Sequence, residues 1–260
     1  MKRLTLFGWV LLACVMSARP AYAVSLSQVP LFVSSGVEPN VMFIIDDSGS
    51  MRWGFMPDEL DQHFNIGASN QNCSSSGTYG GMALCYYNMS GRRYLTSSYL
   101  NKQYFDPDIT YTPPPRGDGT SYPNAVFTSA RVDGYDSTSS TINLSNSFRA
   151  VMDDYFYKFG FRRGFAVSHS ATVDAAFYYE FTGTSASCLN DPIQDSCYTR
   201  RNITAEQQQN FANWFSYYRT RLMASKAGIS FAFDQQPDAM RLGYGAINQA
   251  SNSVDNISTT

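Results

Sequence analysis

A run of five apolar residues that leads into the motif Asp-x-Ser-x-Ser constrains this chain most. Val41 to Ile45 have no polar interruption, which is typical of a strand covered on both faces, as in the parallel sheet of an α/β domain. Asp46, Ser48 and Ser50 then follow at the carboxyl end of this strand. Open α/β sheets hold their ligands at that end, because the loops that leave the strands converge there. The sequence therefore predicts a ligand site at residues 46–50.

The three side chains of this motif offer only oxygen atoms, namely one carboxylate and two hydroxyls, and such a set suits Mg²⁺ or Ca²⁺. Gly49 is expected to allow a tight turn between the two serines. Asp, Ser and Gly in a row are also ordinary turn residues, so a loop without a ligand is the alternative. An aspartyl-nucleophile phosphatase would need a second aspartate where Ser48 stands, which argues against that chemistry.

The first 23 residues have the three parts of a secretory signal peptide. Two basic residues precede an apolar run at residues 4–16, and Ala21 and Ala23 form the small-residue cleavage pattern. The apolar run is too short for a transmembrane helix, which needs about 20 residues. A lipoprotein cleavage box ending at Cys14 is the alternative, but it would leave a very short apolar region. We therefore expect residues 24–260 to be exported, with no transmembrane segment after signal removal.

The charge balance argues against a nucleic-acid partner. Acidic residues outnumber basic ones, 21 to 19, and the predicted signal peptide contains only basic ones. The exported part is therefore acidic and lacks the basic character of nucleic-acid-binding proteins. A hydrophobic fraction of 43%, with 18 Tyr and 18 Phe, is sufficient for a folded core of one or two domains.

Four cysteines remain after removal of the signal peptide, and an even number in an exported chain indicates disulfide bonds. Four cysteines allow three connectivities. We predict two local pairs, because each closes a short loop in a segment rich in Ser, Gly and Asn: Cys73 with Cys85, and Cys188 with Cys197. A zinc site is the alternative, but no pair has C-x-x-C spacing and neither histidine is close in sequence.

A long stretch, residues 52–203, is rich in Tyr, Ser, Gly, Asn and Pro, which favours loops and short strands. Aromatic and β-branched residues predict strands at 125–132 and at 174–182. The aromatic density of residues 147–161 fits either a helix or a strand, and the sequence does not decide between them.

Regular structure is clearly predicted from Thr204 onward. Thr204 and Gln207 form a capping-box pattern. Aromatic and apolar residues then follow at helical spacing, namely Phe211, Trp214, Phe215, Tyr218 and Leu222. We expect one amphipathic helix that reaches about residues 231–233 and contributes its aromatics to the core. A strand at 241–248 follows, so that strand, helix and strand form a βαβ unit.

Two resemblances extend this interpretation. The strand that ends in Asp-x-Ser-x-Ser resembles the metal-ion-dependent adhesion site of von Willebrand factor A domains, in which it is the first of three ligand segments. Residues 210–233 (NFANWFSYYRTRLMASKAGISFAF) and the following RLGYGAIN, together with PNVMFIIDDSGSM at 39–51, resemble the amino-terminal region of the PilC/PilY family. Members of this family are type IV pilus tip-associated adhesins and biogenesis factors. The Tyr-rich strings between these segments resemble the long insert of that family.

The resemblance implies an α/β fold, namely an incomplete von Willebrand factor A domain, which is Rossmann-like, at residues 24–260. Its core is expected at 39–51 and 204–248. A Tyr-rich, loop- and β-rich insertion is expected at 52–203. The threonine and later aspartate that complete a metal site in A domains would lie beyond Thr260, so we expect a domain that is truncated at its carboxyl end.

In function, the resemblance implies a protein of the pilus tip, the bacterial cell surface or the outer membrane that passes through the periplasm. It would act in pilus biogenesis, surface adhesion and surface sensing, with the pilus tip, minor pilins and host or abiotic surface receptors as partners. The family's metal-loop positions match Asp46, Ser48 and Ser50. Because a truncated domain lacks the other ligands, Mg²⁺ or Ca²⁺ is expected to bind this loop weakly or not at all.

Two alternatives to metal-dependent adhesion are a structural, mechanically deformable pilus-tip module and a non-functional truncated fragment. An enzyme is not expected, because neither histidine has an identifiable nucleophile, Ser48 has no adjacent base, and no phosphate-binding glycine loop is present. Arg116, Gly117 and Asp118 form an integrin-type tripeptide on a Pro- and Gly-rich loop. Three-residue matches arise easily by chance, so an ordinary polar turn is the alternative there.

Overall fold

The structure is a computed structural model that describes residues 40–63, 75–79, 82–88, 91–153, 164–168, 173–235 and 240–247. The described residues from 41 to 235 and from 242 to 247 belong to one compact unit. The predicted signal peptide lies outside the described residues. The predicted bond between Cys73 and Cys85 lies outside them too, because Cys73 is not among these residues.

In the described ranges the strands extend from one end to the other, whereas the three α-helices all lie between residues 186 and 234. The strands are β1 (Asn40–Ile45), β2 (Ser75–Tyr79), β3 (Met82–Asn88), β4 (Ala130–Arg131), β5 (Thr141–Ile142), β6 (Ala150–Asp153), β7 (Gly164–Ser168), β8 (Phe177–Phe181), β9 (Tyr198–Asn202) and β10 (Arg241–Ala246). The α-helices are α1 (Ala186–Asn190), α2 (Gln208–Tyr217) and α3 (Arg221–Asp234). Short 3-10 helices cover Gly49–Arg52, Asp58–His63, Arg93–Thr96, Phe127–Ser129 and Asp195–Cys197.

The strands form small sheets. β2, β3, β7 and β6 make one sheet in that order, in which β3 and β7 run parallel and the two outer pairs antiparallel. β1 pairs with β10, β4 with β5, and β8 with β9. The strand predicted at 174–182 corresponds to β8, but the one predicted at 125–132 is reduced to the two residues of β4 after a 3-10 turn. In the described part of residues 147–161, the undecided segment is a strand, β6.

β1 and β10 run in the same direction. Met42 lies against Gly243, and the amide of Ile247 donates to the carbonyl of Ile45 at 2.9 Å. The residue numbers of the partners therefore increase in the same direction along both strands, so the pair is parallel. This parallel pair agrees with the predicted βαβ unit.

The prediction that residues 41–45 are covered on both faces is wrong. Ile44 is 62% exposed, and Leu242 on the partner strand is 50% exposed. Within the described residues β1 has only β10 as a strand neighbour. On one face, the ring of Phe43 packs edge-to-face on Phe233 of α3, with centroids 5.2 Å apart. An apolar run shows only that a strand can be buried. Whether it is buried depends on which other elements of the fold pack against its faces.

α2 supplies the centre of the core. Its aromatic residues Phe211, Trp214 and Phe215 are buried, as their helical spacing predicts. The amide of Thr204 donates to the side-chain oxygen of Gln207 at 3.1 Å, which is part of the predicted capping box. The α-helix itself begins one residue after this turn, at Gln208.

The prediction of one continuous helix from α2 to residue 233 is wrong, because the backbone is extended at Thr220. The hydroxyl of Thr220 caps α3 by accepting a hydrogen bond from the amide of Met223 at 3.3 Å. The amide of Arg221 donates to the carbonyl of Trp53 at 3.1 Å instead of to a carbonyl of α2. A partner far away in the sequence thus decides where the helix breaks.

A polar face of α2 holds residues 103–125, here called the strap. The side chain of Asn210 bonds the backbone of Ile109 and of Tyr111 at 2.7 Å each. The hydroxyl of Tyr217 donates to the carbonyl of Pro123 at 2.7 Å. Burial raises the pKa of Tyr217 to about 12, so this hydroxyl stays a donor throughout the neutral range. These side chains satisfy the backbone of a segment that has almost no regular structure of its own.

Cys188 and Cys197 form a disulfide bond between α1 and the 3-10 turn before β9, with a Cα–Cα distance of 5.6 Å. The cysteines are nine residues apart. Replacing both by serine is expected to lower the free energy of unfolding by about 2–3 kcal/mol, because a loop of this size gains chain entropy in the unfolded state. Urea unfolding of the two forms measures the difference. Equal stability of the oxidised protein and the double variant would contradict the expectation.

Candidate metal loop

The metal loop, residues 46–50, leaves β1 in a compact turn. The amide of Ser48 donates to a carboxylate oxygen of Asp46 at 2.8 Å. A 3-10 turn begins at Gly49, and the amide of Met51 donates to the carbonyl of Ser48 at 3.0 Å. The loop thus places the carboxylate of Asp46 and the two serine hydroxyl groups within a few residues of the strand end, where the sequence predicts them.

The hydroxyl oxygens of Ser48 and Ser50 lie 3.2 Å apart. Two oxygens bound to one ion at right angles are separated by about 3.0 Å for Mg²⁺ and about 3.4 Å for Ca²⁺, given metal–oxygen distances of about 2.1 and 2.4 Å. The serine pair therefore fits adjacent positions around either ion. It fits a mutual hydrogen bond equally well, and a cation would have to replace that bond.

The carboxylate of Asp46 is exposed and favours its ionised form. The backbone amide of Ser48, and to a lesser extent its hydroxyl, stabilises the charge and holds the pKa of Asp46 below its ordinary value. Because the folded-state pKa is lowered, the stabilisation from this contact is present at neutral pH. It is lost as the pH falls through the folded-state pKa. The ligand set is therefore ready for a cation at neutral pH.

Gly49 does not play the expected role in this turn. Its backbone φ lies outside the left-handed region, and an added Cβ would meet only Arg52, at 3.9 Å. The turn would accept another residue at this position, because neither a positive φ nor a close neighbour requires glycine.

Arg221 fixes the chain that follows the metal loop, and sequence reasoning did not identify it. Its guanidinium donates to the carbonyl of Phe55 at 2.7 and 2.8 Å, forms an ion pair with Asp58 at 2.6 Å, and lies over the ring of Trp53. The only signal in the sequence is its position as the first residue of α3 after the capping Thr220. α3 therefore anchors both sides of the loop, β1 through Phe233 and residues 53–58 through Arg221.

Among the three predicted ligands of the metal loop, Asp46 is the carboxylate and the two serines are hydroxyls. In the described ranges no group of three or more His, Cys, Asp or Glu side chains is placed to hold a metal ion. Three protein oxygens are half of the six ligands that Mg²⁺ requires and fewer than half of what Ca²⁺ often takes. Water would have to supply the other positions, so the residues fit a partial site.

The integrin-type tripeptide lies on an exposed turn between Pro115 and Ser121, which form an isolated antiparallel bridge. The guanidinium of Arg116 lies 4.5 Å from the ring centroid of Tyr122. The carboxylate of Asp118 accepts hydrogen bonds from the amide and the hydroxyl of Thr120 at 2.9 and 2.6 Å. Both charged groups of the motif thus have local partners, as in an ordinary polar turn.

Three curated relatives match most of this chain. The type IV pilus biogenesis factor PilY1 of Pseudomonas aeruginosa strain PAO1 is 34% identical over 248 residues, which is 92% of this chain. Its counterparts from strains UCBPP-PA14 and PAK are 36% and 32% identical, over 89% and 92% of this chain. The chain spans 18–19% of the length of these relatives. No family model and no solved structure matches the chain. No helix in the described part is long and apolar enough to cross a membrane.

Proposed function

Since this chain belongs to the PilC/PilY family of type IV pilus factors, we propose that it acts in type IV pilus biogenesis at the bacterial cell surface. The observation that supports the proposal is the similarity of about nine tenths of the chain to PilY1. The relatives are named as biogenesis factors, and no catalytic step is part of the proposal. Export, a place at the pilus tip and contacts with minor pilins belong to the same proposal.

A finer part of the proposal concerns adhesion and surface sensing through the metal loop of an incomplete von Willebrand factor A domain. The parallel pair of β1 and β10, with α2 and α3 between them in sequence, supports such a domain. The converging serine hydroxyls and the ionised Asp46 support a divalent cation there. When bound, the cation would supply an open coordination position for a carboxylate of a partner on a host or abiotic surface.

A chimera tests the role in biogenesis. The chimera is PilY1 in which this chain replaces the matching segment. It is expressed in a Pseudomonas aeruginosa strain that lacks its own PilY1, and surface pili are counted by electron microscopy. We expect the chimera to restore pili. A chimera that reaches the cell surface at the level of native PilY1 but gives no pili would contradict the proposal.

The same chimera with Asp46→Ala distinguishes metal-dependent adhesion from a purely structural role. Loss of surface attachment with normal pilus number is expected if the metal loop serves adhesion. Unchanged pili and unchanged attachment would favour the structural, mechanically deformable module, which needs no cation. The observation that favours this alternative is the hydrogen bond between the hydroxyl groups of Ser48 and Ser50, which needs no cation.

We expect the purified chain to bind Mg²⁺ or Ca²⁺ only weakly, with a dissociation constant on the order of 1 mM, because the loop supplies three protein oxygens. Asp46→Ala is expected to abolish this binding in a calorimetric titration. Asp118→Ala is the matched control, because Asp118 is also an exposed carboxylate that accepts an amide two residues later. Micromolar affinity that Asp46→Ala removes would show instead that other parts of the chain complete the site.

A further inference from the structure

A polar groove of about 550 Å³ lies between the segment at residues 97–108 and strand β8. Its volume is in the range of small-ligand sites. Its wall includes the exposed residue Tyr99 and the polar side chains of Lys102, Asp106, Asp108, Glu180 and Gln207. None of them belongs to the metal loop. The groove is therefore a separate feature of the molecule.

Tyr99 forms a rigid aromatic platform in this groove. Its ring stacks on Phe181 with centroids 3.8 Å apart and planes within 5° of parallel. Phe181 covers one face of this ring, and Tyr99 is 43% exposed at the wall of the groove. Phe181 is held in turn by an edge-to-face contact with Tyr198, at 5.4 Å. A ligand would thus meet a flat ring whose position is already fixed, which reduces the entropy lost on binding.

The rim of the groove offers both acceptors and donors. The carboxylates of Asp106 and Asp108 have no ion-pair partner among the described residues, and Asp106 accepts only the amide of Asp108, at 3.1 Å. On the donor side, Lys102 bonds one carbonyl, that of Ser98, at 2.8 Å and retains further N–H groups. Gln207 uses its amide oxygen on Thr204, which leaves its NH₂ group for a ligand. A ligand with hydroxyl groups could form hydrogen bonds with both the donors and the acceptors of the rim.

We propose that this groove binds a neutral saccharide, with a pyranose ring stacked on Tyr99 and its hydroxyl groups bonded by Asp106, Asp108, Lys102 and Gln207. The C–H face of a pyranose packs on an aromatic face, and each hydroxyl can donate and accept. A lysine- or arginine-rich peptide fits less well. It would meet the ammonium of Lys102 in the groove, and the carboxylate of Glu180 already pairs with Arg201 at 2.6 Å. This inference goes beyond the proposed function and does not depend on the metal loop.

Saturation-transfer NMR on the purified chain tests the proposal. The probes are the methyl glycosides of glucose, galactose, mannose and N-acetylglucosamine. We expect transfer to the ring protons of at least one of them. Tyr99→Ala should weaken that binding about two- to tenfold, while Tyr99→Phe, which keeps the platform, should retain it. Asp108→Asn should weaken binding about tenfold through loss of a charge-assisted hydrogen bond.

Asp136→Asn is the control, because Asp136 is an exposed carboxylate outside the groove and should leave binding unchanged. Asp108 is exposed as well, so its variant tests the groove even if a change at Tyr99 disturbs folding. Three outcomes would overturn the proposal: no transfer to any of the four glycosides, transfer that both groove variants leave intact, or preferential binding of a tetralysine peptide that 0.5 M salt and Asp108→Asn abolish. The last would assign the groove to a basic partner.

Discussion

Replacing Phe211 by alanine is expected to lower the free energy of unfolding by about 3–5 kcal/mol. The side chain is fully buried, and its ring contacts four other aromatic rings at centroid distances from 4.9 to 6.4 Å: Phe105, Phe127, Phe148 and Trp214. Three of these rings come from separate parts of the chain outside α2, and the four cannot all move to fill the same space. The cavity left by alanine therefore adds to the lost burial of the ring.

Urea unfolding followed by tryptophan fluorescence measures this loss. Leu189→Ala is the control, because Leu189 is 61% exposed on α1 and its truncation should change stability by less than about 0.5 kcal/mol. A Phe211→Ala variant no less stable than the Leu189→Ala control would mean that α2 is not the centre of the core.

Asn213→Asp is expected to cost about 3 kcal/mol, although it changes the side-chain volume very little. The buried amide of Asn213 donates to the carbonyl of Tyr111 at 2.9 Å and to the side chain of Asn124 at 3.1 Å. Its oxygen accepts from the amide of Ala125 at 2.9 Å and from Gln209 at 3.1 Å. A carboxylate keeps the two accepted bonds but turns an oxygen toward two acceptors, and it buries a charge.

Asn146→Asp introduces the same charge at an exposed position whose side-chain oxygen accepts from Ser147, a bond that a carboxylate retains. It should therefore leave the unfolding free energy nearly unchanged. Thermal and urea unfolding of both variants provide the comparison. Equal effects of the two substitutions would show that the strap does not depend on the amide of Asn213.

Sequence reasoning succeeded where the deciding interactions are local. The spacing of Phe211, Trp214 and Phe215 identifies the buried face of α2, because helical geometry alone places them together. Asp46 and Ser48 likewise meet because they are two residues apart on one turn. It failed where the partner is far away in the chain. The break between α2 and α3 depends on the carbonyl of Trp53, which no pattern near Thr220 reveals.

The same distinction separates the two candidate sites. The metal loop is contiguous, so a motif can indicate it, even though a motif does not report how many further ligands surround it. The groove combines residues from 97–108, from β8 and from Gln207. Nothing in the sequence joins these segments, because Tyr99 and Phe181 meet only through the packing of the insert.

The hydrogen bonds between α2 and the strap also determine when this protein can fold. They join residues that are 84 to 111 positions apart in the chain, from Gln209 with Ala125 to Trp214 with Gln103. Loops of this length must close before these bonds form, which slows folding and delays the fixing of the strap until residue 217 is available. Such a delay would be useful to a chain that is exported before it folds. Its polypeptide would remain unfolded while it passes through a narrow channel, and folding would be completed on the far side once the aromatic helix arrives.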